Sequence, residues 1–193
     1  MNRSILVVFI SSLAFSLNAQ TLDTLDKTTK SFQNSFFVEL GGAARMASIN
    51  YERALSRKDR NSKTSLRIGY GAFRRGLEIN GVGGTYTIPV VPIEFSVSNT
   101  FSKHSINMGI GIAPTWDKQI YFNFYYGGGV KEEFYVTYFA RIGYLFQGTK
   151  GLLLKVAFVP LLTKEFEAST NSIAISYTRK LIPWAGISIG QSF

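Results

Sequence analysis

The feature that most constrains this chain is a series of short segments, from Ser35 to the C-terminus, in which large apolar residues alternate with small or polar ones. A period of two residues is typical of a β-strand with two different faces. Residues 105–113 show it most clearly, with isoleucine or methionine at the even positions and serine, asparagine, glycine or alanine at the odd ones. The chain is therefore predicted to be all-β.

Eight such segments are predicted to be the strands of one antiparallel up-and-down barrel. They are residues 36–44, 46–55, 64–73, 85–97, 105–113, 134–146, 151–161 and 184–193. The turns 56–63, 98–104 and 147–151 are short, whereas 74–84, 114–133 and 162–183 are predicted to be long loops at the other end. An even strand number with this asymmetry is typical of Gram-negative outer-membrane barrels. Residues 171–178 also alternate, and we interpret them as part of an extended loop hairpin.

The N-terminus has the pattern of a secretory signal peptide. Arg3 supplies a positive start, the stretch 5–17 is mostly apolar, and Ala19 is a small residue at the expected cleavage point. The apolar stretch is shorter than the about 20 residues that a membrane-spanning helix needs. We therefore expect a signal peptide, a flexible lead-in and a barrel domain at residues 1–19, 20–34 and 35–193 respectively.

Six charged side chains share the parity of the small and polar positions and are predicted to face the barrel interior. They are Glu39, Glu52, Arg67, Glu94, Arg141 and Lys155. A soluble lipocalin-like carrier would enclose these charges in its ligand cavity, where an unpaired charge is costly. Inside a membrane barrel the three acids and three bases can pair, and an eight-stranded barrel is just wide enough for side chains. We predict a plugged lumen without an open pore.

Composition excludes several other classes of protein and site. The chain has no cysteine, which rules out disulfides and thiolate metal sites, and a single histidine argues against zinc. The pair Glu132-Glu133 is predicted to be solvated rather than a calcium site. A net charge of +9 without a basic helix or binding motif does not support nucleic-acid binding. No metal and no cofactor are predicted.

The enzyme hypothesis depends on His104, since acyl transfer requires a histidine base beside a serine nucleophile. Ser102 and Ser105 are its sequence neighbours, but no acid nearby could orient the imidazole, and 98–104 is predicted to be a short solvated turn. We predict no catalytic residues.

The predicted loop 114–133 is crowded with aromatic residues. These are Trp116, Tyr121, Phe122, Phe124, Tyr125 and Tyr126. An exposed aromatic patch can bind an extracellular protein or glycan, so this loop is the candidate interaction surface. The alternative is that its period-two pattern extends the barrel wall above the membrane.

Four segments carry a resemblance to a known family. They are VELGGAARMASINYERAL (38–55), SLRIGYGAF (65–73), ARIGYLFQGTKGLLLKVAFVPLL (140–162) and PWAGISIGQSF (183–193). Residues 35–193 resemble the small eight-stranded outer-membrane barrels of the OmpA transmembrane-domain and OmpX type, in particular single-domain "outer membrane protein β-barrel" proteins. Phe193 resembles the terminal signal that the barrel assembly machinery reads, although Gln191 departs from that pattern.

The resemblance implies a location in the outer membrane, contact with outer-membrane lipid, and the barrel assembly machinery as a partner during biogenesis. It does not define an activity, because one fold supports many functions. A non-enzymatic structural or surface-interaction protein is the leading hypothesis. A lipid-modifying deacylase or acyltransferase and a soluble periplasmic lipocalin-like carrier remain as alternatives.

Overall fold

The computed structural model describes residues 32–55, 62–79, 82–123, 127–167 and 176–193. Within them, side-chain positions are described outside 77–79, 82–84, 118–123, 127–131, 165–167 and 176–178. The expected signal peptide, and all of the lead-in before residue 32, lie outside the described residues.

The described chain is almost entirely β-structure. Its strands are β1 (Asn34–Gly41), β2 (Ala47–Ala54), β3 (Ser62–Ile79), β4 (Val82–Val90), β5 (Ile93–Phe101), β6 (His104–Asn123), β7 (Gly127–Gln147), β8 (Leu152–Phe158), β9 (Leu161–Glu167), β10 (Ser176–Ile182) and β11 (Ala185–Ser192). A short 3-10 turn, Gly42–Ala44, joins β1 to β2. No helix among the described residues is long and apolar enough to cross a membrane.

These segments form a closed antiparallel barrel of eight strands, as the alternation predicts. Three of the eight are interrupted near a proline: β4 and β5 meet at Pro92, β8 and β9 at Pro160, and β10 and β11 at Pro183. Proline has no N–H to donate to the ladder, so a strand bends or pauses there. The barrel closes where β1 pairs with β11, from Ser35 opposite Ser192 to Gly41 opposite Gly186.

The strands are longer at one end than the sequence predicts. The predicted loop 74–84 consists largely of the ends of β3 and β4, which pair from Gly71 opposite Val90 to Ile79 opposite Val82. The predicted loop 162–183 similarly contains most of β9 and β10. The loop predictions were wrong for these strand residues because polar and glycine residues look like loops, and a strand needs an apolar outer face only where it contacts lipid. The interpretation of 171–178 as part of a hairpin agrees with the pairing of 176–178 with β9, and 171–175 lie outside the described residues.

The first strand is shorter than predicted, since it ends at Gly41 rather than at residue 44. Gly41 and Gly42 have positive φ angles of 77° and 63°. Glycine adopts this region at little cost, so the chain can turn inward here. Ala43 and Ala44 are consequently buried inside the barrel.

The outer surface carries the large apolar side chains, as the parity predicts. Ile68, Ile110 and Ile187 are 51 %, 52 % and 63 % exposed. Buried positions alternate with them, as in β8, where every second residue is buried. This polarity is the reverse of a soluble barrel and matches a wall in contact with lipid.

Candidate functional site: the barrel lumen

The centre of the lumen is a closed ring of four ion pairs. Arg67 lies 3.2 Å from Glu39 and 3.3 Å from Glu94, and Arg141 lies 2.7 Å from Glu39 and 2.9 Å from Glu94. All four side chains are almost fully buried. Each belongs to a different strand, so the ring crosslinks β1, β3, β5 and β7 across the interior. These are four of the six charges predicted to face the lumen.

The other two predicted charges form a separate pair towards the short-turn end. Lys155 Nζ lies 2.5 Å from Glu52 Oε2. The Phe37 ring separates this pair from the ring of four, with the Lys155 ammonium 4.2 Å and the Arg67 guanidinium 5.8 Å from its centroid. Both distances fit cation–π contacts. All six predicted lumen charges therefore face inward, in two groups.

Inward-facing glycines provide the space for these large side chains. A Cβ on Gly109 would lie 2.6 Å from a Glu94 carboxylate oxygen, and a Cβ on Gly69 would lie 2.2 Å from the Asn50 side-chain oxygen. A Cβ on Gly111 would lie 2.4 Å from the Phe139 ring. The alternation of glycine with large apolar residues is thus a packing requirement of the lumen as well as a mark of the two faces.

A layer of apolar side chains fills the lumen towards the long-hairpin end, above the ring of four. It is formed by Ala43, Ala44, Phe73, Ile88, Val90, Ala113, Phe139, Ala157, Val159 and Leu161. The sequence interpretation missed this layer, since it expected interior positions to be small or polar. The sequence did contain a signal for this layer, because residues an even number apart on one strand face the same side. Phe73 is six residues from Arg67 and Phe139 is two residues from Arg141, so both rings share the inward face of those arginines.

Polar groups cover the apolar layer on its outer side. The Arg45 guanidinium lies 4.6 Å from the centroid of the Phe73 ring and donates a hydrogen bond of 2.9 Å to Thr163. Asp117 accepts hydrogen bonds of 2.6 Å from Arg75 and 2.8 Å from the Tyr86 hydroxyl. Sequence reasoning missed this cluster because Arg75, Asp117 and Thr163 were assigned to loops and Arg45 to a short connection, while only Tyr86 fell in a predicted strand, 85–97.

The cluster around Asp117 lies beyond the apolar band of the outer surface, since the outward-facing neighbours Arg74, Thr85 and Thr87 are polar and exposed. Burial, followed by the hydrogen bond to Asp117, raises the pKa of Tyr86 to about 12. Tyr86 is therefore a neutral hydrogen-bond donor at physiological pH.

His104 is exposed, as the sequence suggested, but it is the first residue of β6 rather than part of the predicted turn 98–104. Its Nδ1 is within hydrogen-bonding distance of the Tyr144 hydroxyl, and its ring is 5.5 Å from that of Phe146. Ser105 faces the interior, where its hydroxyl donates to Thr100 at 3.0 Å. The side chains of His104 and Ser105 thus point to opposite sides of the wall.

The aromatic segment is a continuous hairpin rather than the predicted loop. β6 and β7 pair from His104 opposite Phe146 to Asn123 opposite Gly127. Trp116 is exposed and packs against Phe134 at a centroid distance of 5.4 Å, with the two rings tilted by 57°. For Tyr121 and Phe122 only the backbone is described, and Phe124, Tyr125 and Tyr126 lie outside the described residues. The alternative interpretation, an extension of the wall, is thus correct for the backbone pairing.

Phe193 lies at the seam of the barrel. Its backbone N–H donates to Asn34 O at 2.8 Å, and Asn34 N–H donates to Phe193 O at 3.1 Å. Its side chain is exposed on the outer face. Gln191 also faces outward, and its amide donates to the Lys150 carbonyl at 2.6 Å. Among the described residues, no three His, Asp or Glu side chains gather as a metal site would require.

The fold has a counterpart among solved structures. The barrel is similar to the N-terminal β-barrel domain of Pseudomonas aeruginosa OprF, with 12 % sequence identity and a TM-score of 0.50, over 84 % of this chain and 99 % of that chain. No family model and no curated protein matches the chain. At this identity the likeness shows the fold alone, which is an eight-stranded antiparallel β-barrel.

Proposed function

We propose that this protein is a non-enzymatic integral barrel of the outer membrane whose lumen is plugged by its own side chains. It would act as a structural or surface-interaction protein. The observation that carries the proposal is the division of polarity, with buried paired charges inside and exposed large apolar residues outside. A soluble carrier of apolar ligands would need the reverse arrangement.

Two layers support a closed lumen. The ring of Glu39, Arg67, Glu94 and Arg141 spans the interior, and the apolar layer around Phe73 and Phe139 lies directly beyond it. An ion crossing the barrel would have to break buried ion pairs and then enter a dry apolar region, and both steps are costly.

Conductance measurements test the plugged lumen. We expect the purified protein, inserted in a planar lipid bilayer at neutral pH, to give no steady open channel. The double variant R67Q/F139A removes one member of the ring and one of the apolar layer, and we expect it to conduct more than the wild type. The outward-facing double variant L66A/Y138A is the control and should stay closed. A steady wild-type pore would contradict the plugged lumen.

The surface-interaction part of the proposal rests on the β6–β7 hairpin. Both strands continue to residues 123 and 127, well past the apolar band. Trp116 and Phe134 form an aromatic pair at its base. An extracellular protein or glycan is the proposed ligand class. Cells that display either the wild-type hairpin or a hairpin shortened by deletion of 119–129 are tested for binding to labelled protein and glycan arrays. Equal binding by the two kinds of cell would refute the surface-interaction proposal.

A further inference from the structure

The barrel wall divides on its long-hairpin side, between β7 and β9. Within the described residues, the register between these strands consists of Tyr138 opposite Leu162 and Phe139 opposite Leu161. Beyond this point β7 pairs with β6, while β9 pairs with β10. One residue further along, the Thr137 and Thr163 side chains, 3.0 Å apart, still hydrogen-bond to each other. The two hairpins thus leave a slot between them.

The slot contains a cavity of about 240 Å³. It is lined on one side by Phe134, Val136 and Tyr138 of β7, and on the other by Leu162, Lys164 and Arg179 of the β9–β10 hairpin. The Thr137–Thr163 bridge and the Arg45 hydrogen bond to Thr163 lie on its inner side, because both threonines face the interior. The volume is below the about 300 Å³ at which pockets for drug-sized molecules begin. It suits one small group or part of a chain.

Two consecutive outward-facing pairs of the β9–β10 hairpin give the slot its chemical character. Leu162 pairs with Leu181, and both are exposed apolar side chains. Two residues further from the membrane, Lys164 pairs with Arg179. Because strands rise about 3.4 Å per residue, the cationic pair lies roughly 7 Å beyond the apolar pair. The surface thus changes from apolar to cationic within one side-chain spacing.

The opposite wall of the slot is aromatic. Phe134 and Tyr138 are both exposed on β7, and the Phe134 ring packs at a tilt against Trp116. Aromatic girdles mark the level where a barrel wall leaves the hydrocarbon region and enters the headgroup region. The slot therefore opens at the level where a lipid has its acyl chains on one side and its phosphate on the other.

We propose that the slot between β7 and β9 binds one anionic phospholipid from the surrounding leaflet. Its phosphate lies against Lys164 and Arg179, and the start of an acyl chain lies against Leu162, Leu181 and Tyr138. This inference rests on the proposed membrane location. The inference adds one defined lipid-binding site to the proposed membrane barrel, whose outer wall would otherwise contact lipid uniformly.

Lipid retention tests the site. The full barrel is reconstituted in vesicles of equal phosphatidylglycerol and phosphatidylcholine, extracted in mild detergent, and analysed by native mass spectrometry for bound lipid. We expect the wild type to retain one phosphatidylglycerol in preference to phosphatidylcholine. The variant K164Q/R179Q should lower that preference on the order of tenfold, since each cation near a membrane surface contributes to anionic-lipid binding.

Two further variants distinguish lipid binding in the slot from a general attraction of anionic lipid to the positively charged protein. K103Q/K150Q removes two exposed cations at the short-turn end and should retain phosphatidylglycerol like the wild type. V136W fills the slot without changing charge and should lose the lipid; if it does not fold, V136F serves instead. Equal loss in K103Q/K150Q and K164Q/R179Q would overturn the proposal.

Inorganic phosphate distinguishes a lipid from a free anion. We expect millimolar phosphate to leave the bound lipid in place, because the acyl chain contributes to binding. Two results together would overturn the lipid slot: phosphate displaces phosphatidylglycerol from the wild type, and V136W retains phosphatidylglycerol in full. An anion site on the surface would then explain the binding. A heat-modifiable barrel without lipid preference overturns only the slot, whereas a protein that never enters membranes overturns the proposed function itself.

Discussion

Glu39 shows at the residue scale how the lumen is held together. Its carboxylate contacts both Arg67 and Arg141 and is completely buried. Ser188 of β11 donates to the same carboxylate at 3.4 Å. A buried ion pair is stabilising only when its remaining hydrogen-bonding capacity is also satisfied, whereas loss of one partner leaves the other charge uncompensated. Glu39 is therefore the lumen residue whose neutralisation should cost most.

The substitution Glu39→Gln keeps the size of the side chain and removes its charge. Arg67 and Arg141 would then share Glu94 alone, so we expect the free energy of unfolding to fall by about 3–5 kcal/mol. Urea unfolding of the vesicle-inserted barrel, followed by tryptophan fluorescence, measures it. The exposed Glu132→Gln serves as control and should change the free energy by less than about 0.5 kcal/mol.

A double-mutant cycle separates charge imbalance from lost packing. E39Q/R141Q restores neutrality, so its loss of stability should be smaller than the sum of the two single losses. Strict additivity, or an E39Q barrel as stable as E132Q, would mean that the ring of ion pairs does not stabilise the fold.

Gly111 tests whether inward glycines provide space for lumen side chains. A Cβ there would lie 2.4 Å from both the Phe139 ring and the Ile93 carbonyl oxygen. Overpacking of a filled interior typically costs 1–3 kcal/mol, so we expect G111V to lower the free energy of unfolding by about that amount. In the same urea assay G76V is the control, because Gly76 has open space around it. Equal stability of the two variants would refute the packing role.

At the scale of single elements, the sequence predicted the faces of the strands better than their lengths. Parity assigned Glu94 and Ser96 to the interior and Phe95 to the exterior, and the structure agrees. Strand length was underestimated because Arg74 and Arg75, and the glycines after them, resemble a loop. Above the membrane both faces of a strand contact water or protein, so hydropathy no longer distinguishes a strand from a loop.

The pairing within the charge ring could not be predicted from spacing. Glu52 and Arg67 are direct register partners on β2 and β3, yet Arg67 contacts Glu39 and Glu94 while Glu52 contacts Lys155. Contacts across a lumen depend on the stagger and tilt of all eight strands, which no single segment encodes. The sequence therefore identified the six charges, but not their partners.

The β6–β7 hairpin gives a prediction about assembly. Deletion of 119–129 removes its outer end but keeps the pairs from Lys118 opposite Glu132 down to His104 opposite Phe146. The membrane part of the wall is thus intact, and we expect the truncated chain to insert and to migrate as a folded barrel on an unboiled gel. Failure to assemble would show that the hairpin tip is needed for folding rather than for interaction.

At the scale of the whole molecule, the closed wall of the barrel and its apolar outer surface together suit the protein to a bilayer. The seam between β1 and β11 closes the lower barrel, and each strand that the structure describes there pairs with a neighbouring strand on both sides. A closed wall is the only β arrangement that can span a bilayer, because lipid offers no hydrogen bonds to an open edge. The apolar exterior then determines where this closed wall is stable.

Heat modifiability combined with membrane fractionation tests this central claim most directly. The wild-type protein is extracted from the outer-membrane fraction and compared on denaturing gels with and without boiling. We predict that it is found in that fraction and that the unboiled sample migrates differently from the boiled one, because a closed barrel resists detergent unfolding until heated. A protein that remains in the soluble fraction, with identical mobility before and after boiling, would contradict the account.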